Sequence, residues 1–242
     1  GAQAIAAMAY GTESVPACDV IAGPGNIHVT TAKRLLTGDV GLDMIAGPSE
    51  ILILADDSAD PVHLAADMLS QAEHDAMASA MLATTSPETA SEVLEELLRQ
   101  LAELDRADTA RASLEKFGAV LLAPDLDAGV EAVNRIAPEH LEIVVRDPWA
   151  LLGRIRHAGA IFLGPHAPEP VGDYFAGPNH VLPTLQSARF SSALGVDHFT
   201  KSSSLIAPSR EYLDRNASKI ARLARLEGLE AHARSVESRV KK

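Results

Sequence analysis

The chain carries one cysteine, Cys18, in 242 residues. An internal disulfide framework is excluded, and so is a zinc site built on several thiolates. Basic residues are also in short supply. There are 21 Lys and Arg against 33 Asp and Glu, a formal net charge of −12. That balance argues against duplex nucleic acid, whose phosphates are neutralised by clustered cations. No apolar run approaches the roughly 20 residues that cross a bilayer. A cytoplasmic protein with no membrane partner is expected. What the chain has in quantity is apolar side chains, 47% of the total, enough for one large domain or two modest ones.

Short β-rich runs alternate with helical patterns. Strands are predicted at 19–22, 50–55, 80–84, 119–123, 141–145 and 160–163. Helices are predicted at 27–36, 61–74, 88–104, 108–116, 126–136 and 148–157, the helix after Ser86-Pro87 having a capping serine and a first-turn proline. Such alternation argues for an α/β fold with largely parallel sheets. Ligands in these folds sit beyond the carboxyl ends of the strands, so residues that follow strands carry most interest. From 164 to 184 glycines and prolines crowd a long, shaped loop. From 209 onward a helical tail carries a stripe of Leu213, Ile220, Leu223 and Leu226 that wants a partner surface. Domain boundaries are expected near 50 and near 190.

Several short segments carry candidate chemistry. In 61–74 the residues Leu64, Ala65, Met68, Leu69 and Ala72 form a buried stripe, and Asp67, Gln71 and His74 fall on the other side, spaced four and three apart. An imidazole and an amide oxygen aimed at one point can hold a cation; taken alone, the spacing also fits a solvated polar face. Gly23-Pro24-Gly25-Asn26 leads from strand to helix, where backbone N–H groups can approach an anion, although His28 stands where a dinucleotide fingerprint has its third glycine. Ala46-Gly47-Pro48-Ser49-Glu50 precedes a strand, and Ser49 reads as a turn serine or a substrate contact. Ala137-Pro138-Glu139-His140-Leu141 places an acid and a base side by side at an element boundary. In the long loop Asp173 and His180 are candidate oxygen and nitrogen ligands. Glu227 and His232, five apart, do not share a face of a continuous helix. His28, His63, His157, His166 and His198 read as surface or structural residues.

Taken together, these motifs resemble the histidinol dehydrogenase family. The matching pieces include Gly1-Ala2-Gln3-Ala4-Ile5-Ala6, Gly23-Pro24-Gly25-Asn26, Ala46-Gly47-Pro48-Ser49-Glu50, Ser70-Gln71-Ala72-Glu73-His74 and Pro138-Glu139-His140-Leu141. Gly172-Asp173-Tyr174, Asn179-His180-Val181-Leu182-Pro183-Thr184 and the Glu227 and His232 pair complete the set, in the family's order. The resemblance implies oxidation of L-histidinol through L-histidinal to L-histidine, the last reaction of histidine biosynthesis, with two NAD reduced. It implies a zinc ion (Zn2+) held by Gln71, His74, Asp173 and, from the second subunit of a homodimer, His232. It implies His140 as the base for the alcohol proton and Glu139 as the group that activates water. Ser49, His180 and, from the second subunit, Glu227 would orient histidinol together with the zinc ligands and His140, and Gln3 and Asn26 would contact NAD.

The fold implied is two incomplete Rossmann-like parallel-sheet domains, 1–50 and 51–190, with a C-terminal helical dimerisation segment, 191–242. Residues 1–11 read as a helix with a glycine stop, with no strand leading into it. The chain is therefore expected to be the C-terminal portion of a longer protein, and the isolated polypeptide to be poorly folded or inactive. Two other functions fit the same residues: a zinc hydrolase using water activated by Glu139, and a catalytically incomplete fragment or paralogue that keeps the metal site.

Overall fold

The structure, a computed structural model, describes residues 1–240. It divides into two compact units, one spanning Gly1–Phe199 and one beginning at Thr200.

The first unit is mixed α/β. Helix α1 (Ala2–Tyr10), strand β1 (Val20–Ile21), helix α2 (Ile27–Leu35) and strand β2 (Gly41–Leu42) come first. β1 and β2 pair in parallel, and Ile5, Ile21 and Leu36 form a small core between them and the helices. The main elements follow as β3 (Glu50–Ala55), α3 (Pro61–Ala72), β4 (Ser79–Thr84), α4 (Pro87–Leu101), α5 (Ala107–Phe117), β5 (Ala119–Leu122), α6 (Leu126–Ile136), β6 (His140–Val144), α7 (Pro148–Leu152), β7 (Ala160–Leu163) and α8 (Glu169–Tyr174). Strands β3 to β7 make one parallel sheet in the order β5-β4-β3-β6-β7.

β3 is the centre of that sheet because its sequence suits no other place. Residues Ile51 to Leu54 are apolar without interruption and have no exposed surface, the pattern of a strand covered on both faces. Alternate side chains go to opposite cores. Ile51, Ile53 and Ala55 pack with Leu64, Met68 and Val93 on the α3 and α4 side; Leu52 and Leu54 pack with Val130, Val133 and Leu151 on the α6 and α7 side. The helices start where capping side chains stand. Asp60, Ser86, Asp125 and Asp147 each accept a backbone N–H of the first turn.

α6 approaches β3 closely at Gly129, where an added Cβ would lie 2.7 Å from Leu54 Cδ1. Gly129→Val is expected to cost about 1–3 kcal/mol by overpacking. A Tm unchanged in a thermal melt would contradict that account of the α6–β3 contact.

Several elements differ from the sequence reading; the predicted helix 148–157, for one, ends at Leu152. The predicted helix 61–74 stops at Ala72, leaving His74 in the turn beyond it. The long loop contains α8, hidden from periodicity by Pro168 just before it and by Pro170 and Gly172 within it. The tail is a hairpin of α9 (Arg210–Leu226) and α10 (Glu230–Glu237), broken at Gly228, whose φ of 77° suits glycine. Arg225 ties the hairpin by bonding both Glu230 and Glu237.

Candidate active site

In a parallel sheet each connecting helix runs back against the strands, so helix ends and the next strand starts meet at one edge. That amino-terminal edge collects the chemistry here. Glu50 opens β3, and His140 opens β6 in register with Ile51. α3 returns from the far edge and delivers Gln71 and His74 shortly before β4 begins. The segment after β7 doubles back along the sheet as well. The Glu169 N–H donates to Glu142 Oε1 at 2.8 Å, His180 Nε2 lies 2.9 Å from His140 Nε2, and the Leu185 N–H donates to Glu50 Oε1 at 3.0 Å. The expectation that the site lies beyond the carboxyl ends of the strands is thus reversed. Returning segments bring its residues to the opposite edge.

Glu139 and His140 are aimed by the end of α6. Ala137 closes that helix in the left-handed region, φ 53°, a costly conformation for a residue with a side chain. Pro138 then leads straight into the pair. Glu139 is 7% exposed and His140 3%. The Glu50 backbone holds both: its N–H donates to Glu139 Oε2 at 2.9 Å and its carbonyl lies 2.9 Å from His140 Nδ1. A carbonyl only accepts, so Nδ1 carries the proton and Nε2 of the neutral ring has the lone pair. Burial pushes the imidazole down to about 4, against the pull of Glu169. Burial pushes the Glu139 carboxyl up to about 8, opposed by the Glu50 N–H and reinforced by the charges of Glu50, Glu169 and Asp173. The ring is therefore a free base at neutral pH, and the carboxyl beside it is poised to titrate just above.

His180 stacks on His140 with ring centroids 4.9 Å apart. Its Nε2 is 3.3 Å from Glu169 Oε1 and 3.8 Å from Asp173 Oδ1. The donor atoms of His140, Glu169 and His180 lie within 4.8 Å of one another. Glu169 was not singled out from the sequence. Its signal is an acid between Pro168 and Pro170, four residues before Asp173 and so on the same helical face. Its carboxyl is held below the ordinary carboxylate range; the bond from His180 and the nearby His140 and His74 overcome the effect of burial.

The polar side of α3 is solvated only in part, since His74 beyond its end is exposed and Asp67 half-buried. Gln71 is 1% exposed, and its Oε1 is buried with no hydrogen-bond donor. An orphaned buried amide oxygen is costly, and a divalent cation would satisfy it. The Gln71 oxygen thus suits a nitrogen- and oxygen-ligated metal, while His74 and Asp173 are exposed and are not drawn into one cluster with it among the described residues. Asp67 is half-buried and stands beside the buried Glu142, whose Oε2 has no donor of its own. Burial raises both carboxyls, and the charge of Asp67 raises Glu142 further.

Because the folded-state value of Glu142 is raised, its contribution to stability is complete below the unfolded value and fades as pH climbs toward the folded one. Glu142→Gln removes that titration. It is expected to flatten the fall of Tm between about pH 5 and pH 9. Parallel curves for parent and variant would contradict the raised value of the Glu142 carboxyl.

Ser49, Asn26 and His74 line one cleft of about 280 Å³, together with Gly25, Thr30 and Gly47. Asn26 Oδ1 accepts the N–H groups of His28 and Val29, capping α2. Gln3 is exposed on α1 and does not line that cleft. In the second unit Glu227 and His232 border the same groove, because the turn at Gly228 folds α10 back onto α9. They share a surface that one continuous helix would have denied them.

The sequence profile described as histidinol dehydrogenase matches residues 1–240. The chain belongs to the histidinol dehydrogenase family. It is 66% identical to the histidinol dehydrogenase of Oleidesulfovibrio alaskensis over 239 residues, 99% of this chain and 55% of that protein. The histidinol dehydrogenase of Halalkalibacterium halodurans is 60% identical over 240 residues, 99% of this chain and 57% of that protein. The crystal structure of histidinol dehydrogenase from Elizabethkingia anophelis superposes with a TM-score of 0.89 at 37% identity, covering 98% of this chain and 55% of that one. The chain thus spans about half the length of the histidinol dehydrogenases it matches.

Proposed function

We propose that the protein, at its full length, oxidises L-histidinol to L-histidine through the aldehyde, with reduction of two NAD. The observation that carries this is the Glu139 and His140 pair on the Glu50 backbone, in a chain of the histidinol dehydrogenase family. His140 Nε2 takes the alcohol proton as hydride leaves the carbinol carbon. Glu139, once ionised, takes a proton from the water that adds to the aldehyde, and a second hydride leaves the hydrate. Bound NAD supplies the hydride acceptor. Ser49 and His180 orient the substrate, and Asn26 and Gln3 contact the cofactor.

Gln71, His74 and Asp173 would hold zinc, with His232 contributed by a second copy of the chain. The ion would orient the substrate and polarise it. The orphaned Gln71 oxygen supports this ligand set. Glu227 from the second copy would border the substrate, a role supported by its shared groove with His232. The reading includes a homodimer and a cytoplasmic location, the latter supported by a single, exposed cysteine.

The test is NADH absorbance with histidinol, before and after chelation. Chelation is expected to abolish the signal and added zinc to restore it. Product release with NAD omitted would instead establish a hydrolase and defeat the proposal.

A further inference from the structure

The deepest ion pair among the described residues lies away from the acid–base centre. Lys33 Nζ is 2.6 Å from Asp43 Oδ1, with the two side chains 4% and 0% exposed. Burial of an ion pair is weak ground for a stability role, since packed apolar residues serve as well or better. What this pair does that apolar residues could not is grip one peptide residue at both of its polar groups. Lys33 Nζ donates to the Gly23 carbonyl at 2.5 Å, and the Gly23 N–H donates to Asp43 Oδ2 at 2.7 Å. Asp43 Oδ1 also accepts the Met44 N–H at 2.7 Å. Gly23 itself has φ of 127°, with open space where a Cβ would point. The chain needs glycine there for its backbone, and charge-assisted bonds hold that unusual conformation.

Gly23 opens the turn that ends in Asn26, and Asp43 leads into the segment ending at Ser49. A second tie joins the same two stretches: Thr30, on α2, donates its hydroxyl to the Ala46 carbonyl at 2.6 Å. Gly25, Asn26 and Thr30 form one wall of the 280 Å³ cleft, and Gly47, Pro48 and Ser49 belong to the other. The buried pair and the threonine therefore set the separation of the two walls.

We propose that Lys33 and Asp43 are positioning residues for the dinucleotide, holding the 23–26 turn at a fixed place against the 46–49 segment. This rests on the reading above that the turn contacts NAD. A turn set before binding spares the cofactor the cost of ordering it, so loosening the pair weakens NAD binding and leaves the chemistry intact.

The experiment is calorimetric NAD binding by the full-length protein, paired with steady-state kinetics. Asp43→Asn keeps the side chain's shape and removes its charge. It is expected to raise the NAD Kd and the KM for NAD about tenfold, with kcat at saturating NAD and the KM for histidinol within about twofold of the parent. Lys33→Met is expected to go the same way and further. A folded Asp43→Asn protein with parental NAD affinity would overturn the proposal, as would one whose kcat falls in step with affinity. Should Asp43→Asn fail to fold, Thr30→Val cuts the second tie at constant volume and is expected to weaken NAD binding about threefold; parental affinity there overturns the proposal. Failure of the parent itself to bind NAD would overturn both this inference and the function it rests on, whereas a parent that binds NAD alongside an unaffected variant removes the positioning role alone.

Discussion

His140→Asn is expected to lower histidinol-dependent NADH formation by about 10²–10⁴-fold, the range for loss of a positioned general base. Asparagine can still donate an amide N–H toward the Glu50 carbonyl that His140 Nδ1 meets, so the strand start should stay in place. What it lacks is a lone pair where Nε2 stands. The loss should fall on kcat, because proton removal belongs to the transition state of the first oxidation. The acid side of the parent's pH profile should be flat as far as this group is concerned. Burial pushes the imidazole down to about 4, so the ring is already neutral throughout the range in which the enzyme would be assayed. Stopped-flow NADH absorbance in a single turnover checks both points. An Asn variant with parental kcat would remove His140 from the role.

Glu139→Gln is expected to separate the two oxidations. In the proposed scheme the first hydride transfer does not use the carboxylate, so one NADH per site should still form. The second requires water made nucleophilic, and formation of the acid should fall by at least about 10²-fold. The parent's pH dependence follows from the sign of the shift. Glu139 is raised to about 8, so below that value the fraction in the ionised, competent form grows about tenfold per pH unit. Acid formation should climb from pH 6 to about 8 and level above it. In Glu139→Gln the climb should vanish along with the second step. Quenched samples analysed for aldehyde and acid at several pH values read this directly. Equal loss of both products would place Glu139 in the first step instead.

The fold was legible where the chain signals its own structure. β3 has the bounds the sequence predicted because an apolar run is closed by Asp56 and Asp57. α6 does too, because Asp125 caps one end and Ala137-Pro138 stops the other. Helix α8 was not legible, since a proline and a glycine within six residues, and a second proline just before them, erase helical periodicity. The site was legible as motifs and not as a place. Three polar residues spaced four and three apart look the same whether water or protein covers them, and only tertiary packing buries Gln71. Glu50 drew interest through the motif it ends, yet what orders both catalytic candidates is its backbone N–H and carbonyl. No residue type at position 50 announces that. Asp67 and Glu142 were beyond reach for a similar reason, their contact being made across two elements far apart in sequence.

In the proposed reaction one site performs two successive oxidations with residues of fixed roles. The stoichiometry of the full-length, zinc-loaded protein tests it most directly. With limiting L-histidinol and excess NAD, the account predicts two NADH formed per histidinol consumed, with L-histidine as product. One NADH with free aldehyde released, or product formed without any NADH, would contradict it.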